Sequence, residues 1–310
     1  MNTKSDTHVP QGKLQAWLYA ARLRTLPLTL SCIGMGSFLA AFYDTYQPVV
    51  FWLAALTTLF LQVLSNLAND YGDSKHGVDS ESREGPARAV QAGVITPAEM
   101  KRAMYVFAFL SLASGLLLLY MSLGTGWEAF LFFFVLGLAS IGAAIAYTAT
   151  KKPYGYAGLG DLSVLVFFGL VGVGGTYYLH AQDLSGGIWL PALSVGLLST
   201  AVLNVNNVRD IESDRASGKK SVPVRIGRQA AVYYHIFLLV TAACAAIAFT
   251  LLFYESPWQW LFLLSLPMIF INGRAVATRS RAAELDPYLK QMALTTLLFV
   301  ITFGVGLLLA

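Results

Sequence analysis

Residues 45–73 read TYQPVVFWLAALTTLFLQVLSNLANDYGD: from Thr45 to Asn69 there is no Asp, Glu, Lys or Arg, and the stretch runs straight into Asp70 and Asp73. A helix needs about 20 mostly apolar residues to cross a bilayer, where no water is present to satisfy backbone N–H and C=O groups. The stretch therefore predicts a membrane helix that ends in acid at one surface. Eight more charge-free windows lie along the chain: Thr25 to Tyr43, Ala103 to Trp127, Ala129 to Thr150, Leu162 to Gln182, Leu184 to Val208, Gln229 to Tyr254, Ser256 to Gly273 and Gln291 to Ala310. The composition agrees, with 56% hydrophobic and 12% charged residues in 310, where soluble domains carry about 25% charged. A water-soluble globule is excluded. Disorder, collagen and coiled coil fail as well, because the 27 Gly and 11 Pro follow no period. The expected fold is an all-α membrane protein of nine transmembrane helices, one domain over residues 1–310.

The joints alternate between very short turns, at Asp44, Glu128, Asp183 and Glu255-Ser256-Pro257, and longer polar segments. The short joints hold no Lys or Arg. All 21 basic residues fall on the other side: four before the first span, five between spans two and three, two between four and five, six between six and seven, and four between eight and nine. Cytoplasmic loops accumulate Lys and Arg, so the N-terminus and long loops are expected to face the cytoplasm and the C-terminus the outside. The net charge of +4 is thus a topology signal, and no nucleic-acid partner is expected. Residues 1–24 lack an apolar core followed by a small-residue cleavage site, so the first span is expected to stay as an anchor. Cys32 and Cys244 sit in apolar stretches without metal-like spacing, and the four histidines are scattered. Sets such as Gly34/Gly36, Gly172/Gly174/Gly175 and Gly304/Gly306 read as helix-packing sites, since no βαβ unit surrounds them.

The second and sixth spans end alike. The second runs into Asn66-Leu-Ala-Asn69-Asp70-Tyr-Gly-Asp73, with Asp79 beyond; the sixth runs into Asn206-Asn207-Val-Arg209-Asp210-Ile-Glu212-Ser-Asp214-Arg215. If the helices continue, Asn66, Asp70 and Asp73 share one face at i, i+4, i+7, and Asn206, Asp210 and Asp214 share another at i, i+4, i+8. The matched positions, around 66–79 and 206–214, hint at a weak internal duplication. Carboxylates one helical turn apart repel unless cations neutralise them. Hard oxygen ligands suit Mg²⁺, which binds through one or two carboxylates plus phosphate oxygens, so Asp70, Asp73, Asp210 and Asp214 are the candidate metal ligands and catalytic acids for a diphosphate held between two clusters. An EF-hand loop pattern is absent. Lys75, Arg83 and Arg88 follow the first cluster, and Arg215, Lys219, Lys220 and Arg225 surround the second; Lys75, Arg88, Arg215 and Lys219 are candidate diphosphate ligands.

Together with Gly85-Pro86-x-Arg88-x-x-Gln91-x-Gly93 and Gly218-Lys219 ending in Val224-Arg225-Ile226-Gly227, these clusters resemble the two signatures of the UbiA superfamily of intramembrane aromatic prenyltransferases. Arg24-Thr-Leu-Pro27 and Lys152-Pro-Tyr-Gly-Tyr-x-Gly-Leu-Gly160-Asp161 are similar to its branch that prenylates 1,4-dihydroxy-2-naphthoate in menaquinone biosynthesis. The similarity spans nearly the whole chain. One departure is that Gly77 stands where the broader superfamily carries a third acid, which leaves Asp79 without an assigned role.

The resemblance implies transfer of a polyprenyl group from polyprenyl diphosphate to 1,4-dihydroxy-2-naphthoate in the bacterial inner membrane, with loss of CO2 and diphosphate, giving demethylmenaquinone. It implies Mg²⁺ as cofactor, a prenyl tail running between helices towards membrane lipid, and Asn66, Asn69, Asn206 and Asn207 among the substrate ligands. Segments Ser74 to Thr96 and Glu212 to Gly227 would cap the site against water. Arg22 and Arg24 are candidate partners of the acceptor carboxylate. Tyr147 and Tyr154 border the same end, and Asp161 is a candidate for a ring hydroxyl or its proton. The alternatives are prenylation of 4-hydroxybenzoate or another ring, and an ion or metabolite carrier. A carrier requires polar groups near span midpoints, whereas these acids collect at one face.

Overall fold

The computed structural model describes residues 12–76, 89–124, 126–184 and 186–310. Among these residues nine helices are long and apolar enough to span a membrane: Lys13–Phe42, Pro48–Lys75, Pro97–Leu123, Trp127–Ala146, Gly160–Ala181, Gly186–Arg209, Arg228–Leu252, Pro257–Thr278 and Ala282–Leu308. They are called spans one to nine. The expected all-helical layout is therefore present, with boundaries that differ where helices carry charge past the apolar window. Span three starts at Pro97 because Thr96 and Glu99 form a capping box, Thr96 Oγ1 accepting from Glu99 N at 3.2 Å and Glu99 Oε2 from Thr96 N at 2.9 Å. Span nine starts at Ala282 and takes Glu284, Asp286 and Lys290 onto its first turns.

Spans one and six stand in the middle. Span one packs on spans two, five, six and nine, and span six on five, seven and nine. Span six is the most enclosed of the nine, whereas span four buries no residue fully and lies at the periphery. Close approach uses small residues, as membrane packing does in general. A Cβ at Gly169 of span five would lie 2.8 Å from the Ala192 carbonyl and 3.0 Å from Gly196 of span six. In span five, Leu165–Gly175 is wound with wide i→i+5 turns, a geometry common near functional sites.

Among the described residues two apolar cores result. The larger joins spans one, two, three and five to nine. The smaller, at the end where the acids lie, gathers Ala16, Ala20, Leu64, Leu67, Ala68, Ala89, Ile95 and Met100. It presses the lead-in helix Lys13–Ala20 and the descent into span three onto the last turns of span two. Part of the expected cap, residues 89–96, is thereby anchored; Asp79, Arg83 and Arg88 lie outside the described residues.

Candidate active site

Span two remains one helix through Lys75, so Asn66, Asp70 and Asp73 do share a face, and all three are buried. Asn66, Asn69 and Asp73 are each placed by a different contact. Asn66 Nδ2 donates to the Ala21 carbonyl at 2.9 Å and to Thr25 Oγ1 at 3.1 Å, which fixes the turn between the lead-in helix and span one. That turn carries Arg22, in the left-handed region at φ 50°, and Arg24. A non-glycine residue held there is strained, and such residues gather at ligand sites. Asn69 Oδ1 accepts from Thr148 Oγ1 at 2.9 Å, and Asp73 Oδ1 accepts from the Tyr156 hydroxyl.

The second cluster departs from the expected continuous helix. Span six ends at Arg209, Asp210 occupies φ −94° and ψ 13°, and a separate helix follows over Ile211–Ala216. The break has a side-chain cause: Arg209 folds back on its neighbour, its Nε and Nη2 donating to the two Asp210 carboxylate oxygens at 2.7 and 2.8 Å. Arg209 also reaches Asn206 Oδ1 at 2.9 Å and Asp286 of span nine at 2.5 Å. The backbone bonds Asp210 N to Asn206 O and Asp214 N to Asp210 O persist, so the acids stay about one turn apart. Asp214 accepts from Lys219 Nζ and from Ser221 Oγ, each at 3.1 Å. Burial pushes its carboxyl above the usual carboxylate range, with Asp210 adding repulsion and Lys219 opposing.

The loop between spans four and five ties the clusters together. Tyr156, whose hydroxyl serves Asp73, accepts at its own carbonyl from Lys220 N at 2.9 Å. Gly158, at φ 80°, lies where a Cβ would meet the Lys220 carbonyl at 2.5 Å. Tyr147 occupies the middle: burial raises its hydroxyl above the ordinary tyrosine range, followed by the charges of Asp161, Asp73 and Asp214 among its neighbours. One hydroxyl is thus within electrostatic reach of both clusters.

Part of this arrangement lines one end of a cavity of about 400 Å³; of the expected acids Asp73 does so, whereas Asp70, Asp161, Asp210 and Asp214 lie behind the lining. Arg22, Arg24, Asn66, Asn69, Asp73, Tyr147, Tyr154, Asn206, Asn207 and Lys219 line that end. Every charged residue in the described lining is among them; beyond them the walls are largely apolar, with Leu28, Leu118, Leu119, Phe133, Phe134, Phe167 and Phe168. Two buried oxygens on the wall, Asn207 Oδ1 and Ser199 Oγ, have no hydrogen-bond partner among the described residues. Asp161, buried at the start of span five, accepts from Tyr234 at 3.2 Å through one oxygen and leaves the other without a partner there.

Other expected residues lie elsewhere. Lys75 is exposed at the end of span two, and Arg215 turns outward to pair with Glu212 at 3.0 Å. Conversely, Tyr156, Tyr234, Thr148 and Asp286 join the site without being among the residues expected from the sequence. Tyr156 stands inside the Lys152 to Asp161 motif and was open to notice; Asp286 lies 77 residues from Arg209, and no local pattern joins them.

Among the described residues no three acidic, histidine or cysteine side chains converge into a ready-made metal cage. The donors present are carboxylate and amide oxygens, split between two helices and partly neutralised by Arg209 and Lys219. Such a set fits a hard divalent ion that takes one or two carboxylates and completes its shell from substrate phosphate and water.

The sequence profile of the UbiA prenyltransferase family matches residues 29–297. The chain is 45% identical over 294 residues to a 1,4-dihydroxy-2-naphthoate octaprenyltransferase of Escherichia coli (strain K12), covering 94% of this chain and 95% of that one. Its fold superimposes on the apo structure of a UbiA homolog from Aeropyrum pernix K1 with a TM-score of 0.70, at 17% identity and over 93% and 98% of the two chains. A UbiA homolog from Archaeoglobus fulgidus bound to DMAPP and Mg²⁺ superimposes with a TM-score of 0.57, also at 17% identity, over 91% and 99%.

Proposed function

The chain belongs to the UbiA prenyltransferase family, and on that premise we propose that it transfers a polyprenyl group from polyprenyl diphosphate to 1,4-dihydroxy-2-naphthoate. The observation that carries this is the cavity: one end lined by Asp73 with Asn66 and Asn69 of the first cluster and by Asn206, Asn207 and Lys219 beside the second, opening into a largely apolar interior. The shape matches an amphiphilic donor with a multiply charged head. The absence of charge from the described lining beyond the mouth argues against a two-sided transport route, and the relatives named above favour the naphthoate acceptor.

Asp70, Asp73, Asp210 and Asp214 would hold Mg²⁺ together with the donor's phosphates. The ion supplies neutralisation of the charge that builds on the leaving diphosphate. The chain's own residues do the rest. Lys219, seated on Asp214 at the mouth, turns part of its donor capacity to diphosphate oxygens. Tyr156 holds Asp73 in place, and Arg209 does the same for Asp210. The donor's allylic C–O bond breaks with its electron pair on diphosphate; the ring carbon bearing the carboxyl group bonds to the prenyl carbon, and CO2 leaves, giving the prenylated ring in quinol form. Apolar walls exclude the water that would capture the allylic cation. Arg22, held by the Asn66 clamp, faces the acceptor carboxylate. The Ser199 and Asn207 oxygens on the cavity wall would meet ring hydroxyls, and Asp161 is the candidate to take a ring proton. The excess of Lys and Arg at this end favours a mouth on the cytoplasmic side of a bacterial inner membrane.

The test incubates purified protein in bilayers with dihydroxynaphthoate, labelled prenyl diphosphate and Mg²⁺, then repeats with EDTA. Prenylated, decarboxylated product that disappears with EDTA and returns with added Mg²⁺ supports the reading. Product in the presence of EDTA defeats the metal assignment, and product from 4-hydroxybenzoate alone moves the acceptor to the other ring.

A further inference from the structure

Glycines inside helices lower stability relative to alanine, so each should have a local reason. Most here have one. At Gly36 a Cβ would sit 2.6 Å from the Val173 carbonyl, at Gly169 2.8 Å from that of Ala192, and at Gly306 2.5 Å from that of Trp258. Several others, Gly142 among them, have none, and three of these line the cavity. A Cβ at Gly137 would meet nothing within 4 Å, at Gly115 only Thr57 Cγ2 at 3.6 Å, and at Gly175 only Phe133 Cε1 at 3.5 Å. All three have ordinary helical φ values, and all three line the cavity. They sit on three different spans, three, four and five, well away from the charged mouth.

We propose that Gly115, Gly137 and Gly175 set the bore of the cavity and thereby make it tolerant of prenyl chain length. This rests on the reading of the cavity as the donor's tail channel. Gly137 lies ten residues from Tyr147, about 15 Å along span four at 1.5 Å per residue. Gly175 lies fourteen residues beyond Asp161, deeper towards the opposite face. Side chains at these positions would project into the lumen without striking backbone, so each acts as an open gate at its own depth. The two unpartnered oxygens nearer the mouth, on Asn207 and Ser199, mark the same space as built for a ligand with a polar head.

The experiment compares Gly115→Leu, Gly137→Leu and Gly175→Leu with wild type on geranyl, farnesyl and octaprenyl diphosphates. Gly142→Leu serves as control, because it shares span four, has nothing within 4 Å and does not line the cavity. The quantity read is the kcat/KM ratio of longest to shortest donor. The proposal expects that ratio to fall at least tenfold in Gly175→Leu and to stay at the wild-type value in Gly142→Leu. It also expects Gly137→Leu to begin discriminating at a shorter donor than Gly175→Leu. Equal losses for all donors, or an unchanged ratio in all three variants, would overturn it. Where a leucine variant fails to fold, the alanine and valine variants of the same glycine give the same reading in smaller steps. Competition against labelled geranyl diphosphate reads donor-length preference without any acceptor, so an error in the acceptor assignment leaves this test standing.

Discussion

Gly72 lies between Asp70 and Asp73 on the helix that carries the first acid cluster, and Gly72→Ala is the smallest change that pushes that cluster out of place. A Cβ there would sit 2.5 Å from the Thr148 carbonyl carbon and 2.8 Å from Ala149 N, where ordinary contact begins at 3.4 Å. Both neighbours are backbone, so no side chain can swing away. The end of span two must move from the Thr148 segment by about the shortfall of 0.9 Å. That segment is the one that holds Asn69 through Thr148 Oγ1 and leads into the Tyr156 loop. Overpacking of this kind costs about 1–3 kcal/mol, set against a gain of up to about 1 kcal/mol from removing a helical glycine. The net loss of stability is therefore modest, about 0–3 kcal/mol. Catalysis should suffer more, because a displacement of about 1 Å at reacting groups costs on the order of 100-fold. The assay is paired: thermal unfolding in detergent, and kcat/KM in bilayers, for Gly72→Ala and for Gly142→Ala, whose Cβ meets open space. Gly72→Ala should unfold within a few degrees of wild type yet lose about two orders of magnitude in rate, while Gly142→Ala keeps both. Near-normal rate in Gly72→Ala would refute the claim that the seating of span two on the Thr148 segment positions the acids.

Other expectations follow from single contacts. Tyr156→Phe removes a hydrogen bond to a charged acceptor, a loss of about 1.5–3 kcal/mol, and should lower kcat/KM at least tenfold in steady-state kinetics without loss of the folded protein. Arg209→Lys replaces a two-pronged partner of buried Asp210 by a point charge and should destabilise by about 3 kcal/mol. Asp286→Asn, which touches the same guanidinium from a partly exposed position, should cost about 1 kcal/mol or less; denaturation midpoints rank the two. Arg22→Gln should raise the KM for dihydroxynaphthoate about tenfold with little change in the KM for the donor, and equal changes in both would remove Arg22 from the acceptor.

The spans and the acid clusters were legible because each is a local pattern. Freedom from charge over about 20 residues is a one-dimensional property, and Asn66, Asp70 and Asp73 need only an unbroken helix to align. Helix ends were read short where charged residues continue the helix at its polar tip, as Glu284, Asp286 and Lys290 do in span nine. The break at Asp210 was hidden because Arg209 folding onto its neighbour is a choice of side-chain geometry that spacing does not encode. The link between the clusters was hidden for a different reason. Tyr156 reaches Asp73 across 83 residues, and Asp286 reaches Arg209 across 77, contacts that exist only once spans five and nine have packed. Lys75 and Arg215 illustrate the converse: they are near the acids in sequence, yet helix periodicity turns them to solvent.

Whether the two acid clusters serve one headgroup is decided most directly by a double-mutant cycle on Mg²⁺-supported binding of an unreactive prenyl diphosphate analogue. Asp73→Asn and Asp214→Asn should each weaken binding, and the double variant should bind little worse than the weaker single one, because either loss dismantles the same shared site. Losses that multiply in the double variant, as for two independent sites, would contradict the account.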